Sequence, residues 1–129
     1  MAGIKHTWTL SVKNDAGANV VADTEIVTAD AEQNFSAVAT AGLTKEIDLD
    51  ITVANIVSFF IESTVAVTLK TNSTGSPAQT IALAAKKAFH WNNLDAINVN
   101  PLTTNITKLF FVNAGAADAT IVGGFLLNQ

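Results

Sequence analysis

The strongest constraint on the fold of this chain is a period-two alternation of apolar and polar residues that recurs along its length. It is clearest in residues 43–53, LTKEIDLDITV, where every second residue is mostly apolar and the intervening residues are polar. Residues 4–12 alternate in the same way. Successive side chains of a β-strand point to opposite faces, so both segments are predicted to be strands with one buried face.

Composition and turn signals extend this prediction to the whole chain. Its 129 residues include 16 threonines, 12 valines and 10 isoleucines, and no cysteine. β-Branched residues suit a pleated sheet, and the length predicts one domain, residues 1–129, without disulfides. The predicted strands are residues 4–12, 20–28, 43–53, 56–62, 65–72, 79–85, 106–113 and 119–127. About eight strands with turns every 8–12 residues indicate an all-β antiparallel sandwich, jelly-roll-like.

Two segments leave an alternative open. Residues 30–41 could form a short helix capped by Asp30, with Glu32 and Gln33 in its first turn. Residues 78–89 contain helix-favouring alanines and lysines, but the apolar residues within them have strand spacing. We interpret the second segment as a strand.

The charge pattern argues against nucleic acids and membranes as partners. The net charge is −4, and all seven cations are lysines, so no guanidinium group is present for bidentate phosphate or base contacts. No unbroken apolar run approaches the roughly 20 residues that span a bilayer. The first ten residues lack the apolar region of a signal peptide, so we expect a protein made in the cytosol.

The segment FHWNN contains one of two histidines and one of two tryptophans. A catalytic histidine needs an orienting carboxylate and a nucleophile; Asp95 is near in sequence, but no nucleophile motif accompanies His90. A structural corner explains the segment better: Trp91 buries its ring where the chain leaves the sheet, and Asn100 with Pro101 turns the chain back.

A row of carboxylates, Glu46, Asp48 and Asp50, lies on one predicted strand face. Such a row could bind calcium or act as a glycosidase pair, but a solvated face, or one that meets lysines of another subunit, explains it equally. His6 and His90 lack metal-site spacing, and His6 is expected to be partly buried. We therefore predict no catalytic residue, metal or cofactor, and no enzymatic activity.

Two phenylalanine pairs, Phe59-Phe60 and Phe110-Phe111, place one ring on each face of their strands. One ring of each pair should enter the core, while the other needs cover from a loop or a neighbouring subunit. Large exposed apolar patches tend to be interfaces, so these four residues are the candidate interface.

Residues 55–129 resemble small virion structural proteins of tailed bacteriophages. The resemblance lies in the order of a Thr-Asn-Ser loop, a tryptophan corner, an Asn-Pro turn and an Asn-Ala-Gly hairpin. These correspond here to residues 71–73, Trp91, Asn100-Pro101 and residues 113–115.

The resemblance implies a β-sandwich that decorates and cements the phage head, often as a homotrimer. Its expected partners are other copies of the chain and the major capsid protein, its expected location is the virion, and residues 1–5 could reach a neighbour as an arm. Three alternatives stay open. One is a tail or baseplate protein, another a jelly-roll carbohydrate-binding module that uses Trp8 or Trp91, and the third a small hydrolase that uses Asp48, Asp50 or His90.

Overall fold

The regular structure is almost entirely β. The computed structural model describes residues 3–13, 16, 19–94 and 99–128. Its ten strands are β1 Ile4–Lys13, β2 Asn19–Ala29, β3 Ala31–Ala39, β4 Thr44–Ile51, β5 Ile56–Ser63, β6 Val67–Thr71, β7 Thr80–Leu83, β8 Phe89–Asn92, β9 Ile106–Val112 and β10 Ala119–Leu127. One turn of 3-10 helix, Val53–Asn55, separates β4 from β5. The predicted all-β class is confirmed.

The strands from β3 to β10 form a sandwich of two four-stranded antiparallel sheets. The first sheet has the order β3-β10-β5-β8, and the second has the order β4-β9-β6-β7. Strand pairs β3/β10, β4/β9, β5/β8 and β6/β7 nest inside one another and alternate between the sheets. This nesting is the strand order of a jelly roll, as the sequence predicted.

The core lies between the two sheets because each strand turns its apolar face inward. The largest fully buried apolar side chains of this core are Phe59, Phe111, Phe125, Ile51, Ile61, Leu69, Ile106, Leu109 and Ile121. The rings of Phe59 and Phe125 stack with centroids 5.6 Å apart. The ring of Phe35 lies against Gly123, where an added Cβ would collide with it. A glycine at this position lets the ring cross β10 closely.

The helix considered for residues 30–41 is wrong, because the segment forms β3 and pairs with β10 along its whole length. Phe35 packs against the core, while Val38 is exposed on the opposite face. Pairing and core packing thus override the local helix preference of the segment. Residues 80–83 form β7, as interpreted.

The first two strands form a separate antiparallel hairpin. The turn-forming sequence at residues 14–17, between two predicted strands, is compatible with a hairpin or with a long corner, and the pairing of β1 with β2 selects the hairpin. Of residues 14–17, only Ala16 lies within the described residues. Residues 1 and 2 of the predicted N-terminal arm also lie outside them, whereas Ile4 and Lys5 belong to β1 and pair with β2. A bend at Asp30 carries the chain from β2 into β3.

Asn113 fastens one end of the sandwich. Its side chain is buried, and its Nδ2 donates to the carbonyls of Ala39 (2.9 Å) and Ala117 (2.8 Å). Its Oδ1 accepts from Gly115 N–H (3.1 Å), and its own backbone N–H donates to the carbonyl of Leu43. One side chain therefore ties the β3–β4 turn to the β9–β10 turn.

Candidate functional site

The hairpin covers part of the outer face of the first sheet. A small apolar cluster joins the two layers, with Val27 and Ala29 of β2 buried against Val57 of β5 and Leu126 of β10. Trp8 of β1 packs at the edge of this cluster. A bulge in the β5–β10 pairing, between Leu126 and Leu127, accompanies the placement of Val57 beneath the hairpin.

A chain of side-chain hydrogen bonds runs beside this cluster and links three elements. His6 Nδ1 lies 2.8 Å from the hydroxyl of Ser58 on β5, and His6 Nε2 lies 2.9 Å from a carboxylate oxygen of Glu32 on β3. The indole N–H of Trp8 donates to the same serine hydroxyl over 3.0 Å. Asn34 donates to the second oxygen of Glu32 over 2.6 Å.

The network fixes the proton positions when His6 is neutral. Ser58 Oγ accepts from Trp8, so its own proton is free to donate to His6 Nδ1. The remaining ring proton then lies on Nε2 and is donated to Glu32. Every bond in the chain has one donor and one acceptor, and the chain joins the hairpin to the sheet.

A serine, a histidine and a carboxylate in a row raise the question of nucleophilic catalysis. Here Ser58 has 0 % of its surface exposed, because the hairpin lies over it. A substrate carbonyl has no path to a hydroxyl that is already enclosed by Trp8 and His6. The arrangement is therefore a structural fastener for the hairpin.

An open groove of about 390 Å³ lies beside β1. It is lined by Lys5, His6, Thr7, Trp8, Phe60 and Ala88. The edge of the His6 ring faces the Phe60 ring with centroids 6.0 Å apart, and Trp8 lies against His90 at 5.0 Å. The groove thus combines an aromatic floor with a strand edge.

The structure places His90 and the carboxylates, the two sets of residues considered for catalysis or metal binding, on opposite sides of the molecule. His90 lies on the outer face of the first sheet against Trp8, whereas Glu46 and Asp48 lie on the outer face of the second sheet. Lys108 Nζ lies 2.6 Å from Glu46 and 3.2 Å from Asp48. A hydrogen bond to Glu46 and, to a smaller extent, one to Asp48 raise the pKa of Lys108 above its usual value. Two of the three carboxylates of the row thus meet a lysine of their own chain, and the third, Asp50, is exposed.

The segment predicted as a corner divides between a strand and a loop. Trp91 is the third residue of β8, faces the core and pairs with Phe59. The side-chain oxygen of Asn100 accepts a hydrogen bond from the backbone N–H of Leu102, and this bond closes a tight turn around Pro101. Asp95 lies outside the described residues.

The four phenylalanines of the candidate interface have separate positions. Phe59 and Phe111 are fully buried between the sheets, so neither offers a surface to a partner. Phe60 is half-buried at the hairpin groove, and Phe110 is half-buried on the outer face of the second sheet. On that face Phe110 lies between Glu46 and Lys70 of the neighbouring strands.

Sequence reasoning missed the partners of His6, which are 52 and 26 positions away. One signal was present: Ser58 interrupts the apolar run IVSFF of β5. A polar residue inside a buried run requires a hydrogen-bond partner from another element.

Within the part of the chain that the structure describes, no group of three or more His, Asp or Glu residues is placed to hold a metal ion. The described residues also contain no helix long and apolar enough to cross a membrane. No family model, curated protein or solved structure matches this chain.

Proposed function

We propose that this chain is a structural protein of a bacteriophage virion that decorates the assembled head as a homotrimer. Its partners are other copies of itself and the major capsid protein. The jelly-roll sandwich supports the proposal because the outer face of its second sheet, and the part of the first that the hairpin leaves uncovered, can carry contacts. The buried Ser58 supports a binding role over a hydrolytic one.

The observation that carries the proposal is a set of three exposed aliphatic side chains on β3, on its partner β10 and in the turn that follows β3, which we call the corner patch. It consists of Val38 on β3, Val122 on β10 and Leu43 in the turn after β3, with exposed fractions of 52 %, 42 % and 60 %. Val122 pairs with Ser36, so Val38 lies diagonally across from it on the same face.

Hydrogen bonds hold the backbone that carries Leu43 of the corner patch, which suits a docking surface. The β3–β4 turn is closed by a hydrogen bond from Leu43 N–H to the carbonyl of Thr40, and Asn113 binds the carbonyl of Ala39 just before the turn. A backbone that is ordered beforehand loses little conformational entropy when a partner covers it. Apolar patches of this kind tend to be protein interfaces.

Trimer formation would allow tight binding to the shell even when the contact made by each subunit is weak. A trimer that meets three symmetric sites on a shell gains avidity without additional contacts in each subunit. Because such a protein binds the assembled shell and not free capsid subunits, it stabilises the shell by mass action.

The test is cosedimentation of the purified chain with phage heads prepared without it. We expect saturable binding, located on the outer head surface by electron microscopy, and a native mass of three chains of 13.5 kDa. The double substitution Val38→Asp, Leu43→Asp should weaken binding at least about 100-fold, since charged groups replace an apolar contact. The matched control is Val99→Asp, at a residue 85 % exposed and outside the patch. Binding to tails in place of heads, or no binding to particles, would refute the proposal.

A further inference from the structure

We infer that the free edge of β1, together with the hairpin groove beside it, accepts an extended acidic segment of a partner protein as an added β-strand. The inference deepens the proposed function, on which it rests for the identity of the partner as a shell protein. It names a second contact surface, distinct from the corner patch, and the chemistry of what binds there.

The first support is an unpaired strand edge. Among the strands that the structure describes, β1 pairs with β2 alone, and its ten residues leave a second edge without a strand. Alternate backbone N–H and C=O groups along such an edge point outward and can pair with an extended segment. Strand addition of this kind takes its affinity from main-chain hydrogen bonds.

The second support is that the groove follows this edge. Four consecutive residues of β1, Lys5 to Trp8, line one side of the groove, and Phe60 and Ala88 line the other. An added strand would therefore rest its alternate side chains on Phe60 and the small Ala88. Pockets for alternate side chains supply the specificity of strand addition.

The third support is local charge. The chain carries a net charge of −4, yet Lys5 lines the groove, and the exposed Lys86 and Lys87 directly precede Ala88. Two carboxylates lie nearby: Glu32, which is already bonded to His6 and Asn34, and Glu62, which lies two residues from Phe60 on the same face of β5. The three lysines outnumber them, since Glu32 is already paired. This rim favours a partner segment with carboxylates.

The composition of β1 argues against a second copy of the chain as the occupant. β1 carries Lys5 and Lys13 and no carboxylate, so a second β1 strand would bring no negative charge to the lysines of the rim. An acidic segment from a different protein supplies that charge.

The test uses the full chain and synthetic peptides of about eight residues, which span roughly 26 Å when extended. An alternating valine–glutamate peptide is compared with a valine–lysine peptide by amide chemical shifts. We expect shifts concentrated at residues 5–8 and 88, and at least about tenfold tighter binding of the glutamate peptide.

Peptide methylation then separates strand addition from other binding modes. In an added strand only alternate peptide N–H groups face the neighbour. Methylating one alternate set of peptide nitrogens should abolish binding, whereas methylating the other set should leave it nearly unchanged. Equal effects of both sets would overturn the inference.

Matched substitutions locate the site. Lys5→Glu should weaken binding of the glutamate peptide about tenfold. The matched control Lys45→Glu, on β4 of the second sheet, should leave that binding unchanged. Ala88→Trp should block binding, whereas Ala84→Trp, exposed in the same connection but outside the groove lining, should not.

The outcomes separate this inference from the proposed function. Peptide binding with these sensitivities supports the inference even if the chain fails to sediment with phage heads, which would refute the function. Head binding without peptide binding leaves the function standing and overturns the inference. Glycan binding at Trp8, with no peptide binding, also overturns it.

Discussion

Replacing Asn113 by alanine should destabilise the sandwich far more than the same replacement of an exposed asparagine such as Asn93. The substitution removes two donors and one acceptor that link the β3–β4 turn to the β9–β10 turn. It also loosens the turn that presents Leu43, while the backbone bond from residue 113 to Leu43 stays in place.

The magnitude follows from where the three bonds lie. Ala39 is 1 % exposed, so water cannot replace the lost donor, and this bond contributes about 2 kcal/mol. Gly115 and Ala117 are exposed, so water replaces part of each lost bond, and each contributes about 0.5 kcal/mol. The sum is a loss of about 3 kcal/mol in the free energy of unfolding, or about 12 °C in Tm for a domain of this length.

Substitution by aspartate sharpens the test. N113D keeps the acceptor for Gly115 but turns a carboxylate toward the carbonyls of Ala39 and Ala117, so it should be less stable than N113A at pH 7. The pKa of that carboxyl should rise above its usual range, because burial and two carbonyl dipoles disfavour the charge. A carboxyl whose pKa is higher in the folded than in the unfolded protein stabilises the fold below its unfolded-state pKa, and this stabilisation is lost as the pH rises through the folded-state pKa. The stability difference between N113D and the wild type should therefore shrink as the pH falls from 7 toward about 4.

The assay is chemical and thermal unfolding of the three proteins beside N93A, whose exposed side chain lies in the turn after β8. N93A should change the free energy of unfolding by less than about 0.5 kcal/mol. If N113A and N93A melt within about 2 °C of each other, or if N113D is as stable as the wild type at pH 7, the role assigned to Asn113 is wrong.

Other predictions test the core and the hairpin. Gly123→Ala places a Cβ against the ring of Phe35 and should cost about 2 kcal/mol, whereas Gly75→Ala, in an open loop, should cost less than about 0.5 kcal/mol; equal melting temperatures would contradict the close packing. His6→Ala removes the middle of the fastener, so hydrogen exchange should become faster in the hairpin while the sandwich strands keep their protection, and the emission of Trp8 should shift to the red. Equal loss of protection in both layers would show that the hairpin is not a separate unit.

Most of the fold was predictable because its signals are local. The alternation in residues 43–53 predicts β4 and its buried face, where Ile51 lies fully in the core. Loop residues such as Asn72, which adopts a positive φ of 69°, mark strand ends by their own conformational preferences. The four-residue strand β8 was missed, because FHWN is too short to show alternation.

The candidate site was less predictable because its residues come from three strands that are far apart in the sequence. His6, Glu32 and Ser58 each belong to a different strand, and their meeting depends on how the hairpin folds over the first sheet. No local pattern encodes that placement. Each residue alone fits an ordinary alternating strand, and the one available signal, a serine inside the apolar run IVSFF, was not used in the prediction.

The fastener and the proposed strand-binding edge belong to the same element, which couples them. The hairpin is joined to the sandwich by a small cluster, Val27, Ala29, Val57 and Leu126, and by the polar chain through His6. A layer with so few apolar contacts opens more readily than the core between the sheets. A strand added to β1 would bind the closed hairpin and not the open one, so it would raise hairpin protection by mass action. The test is peptide-dependent slowing of amide exchange in both β1 and β2, and weaker slowing at the same peptide concentration in Ser58→Ala, which removes a fastener bond but no residue that lines the groove. That result would show that docking of the peptide and closure of the hairpin are one equilibrium.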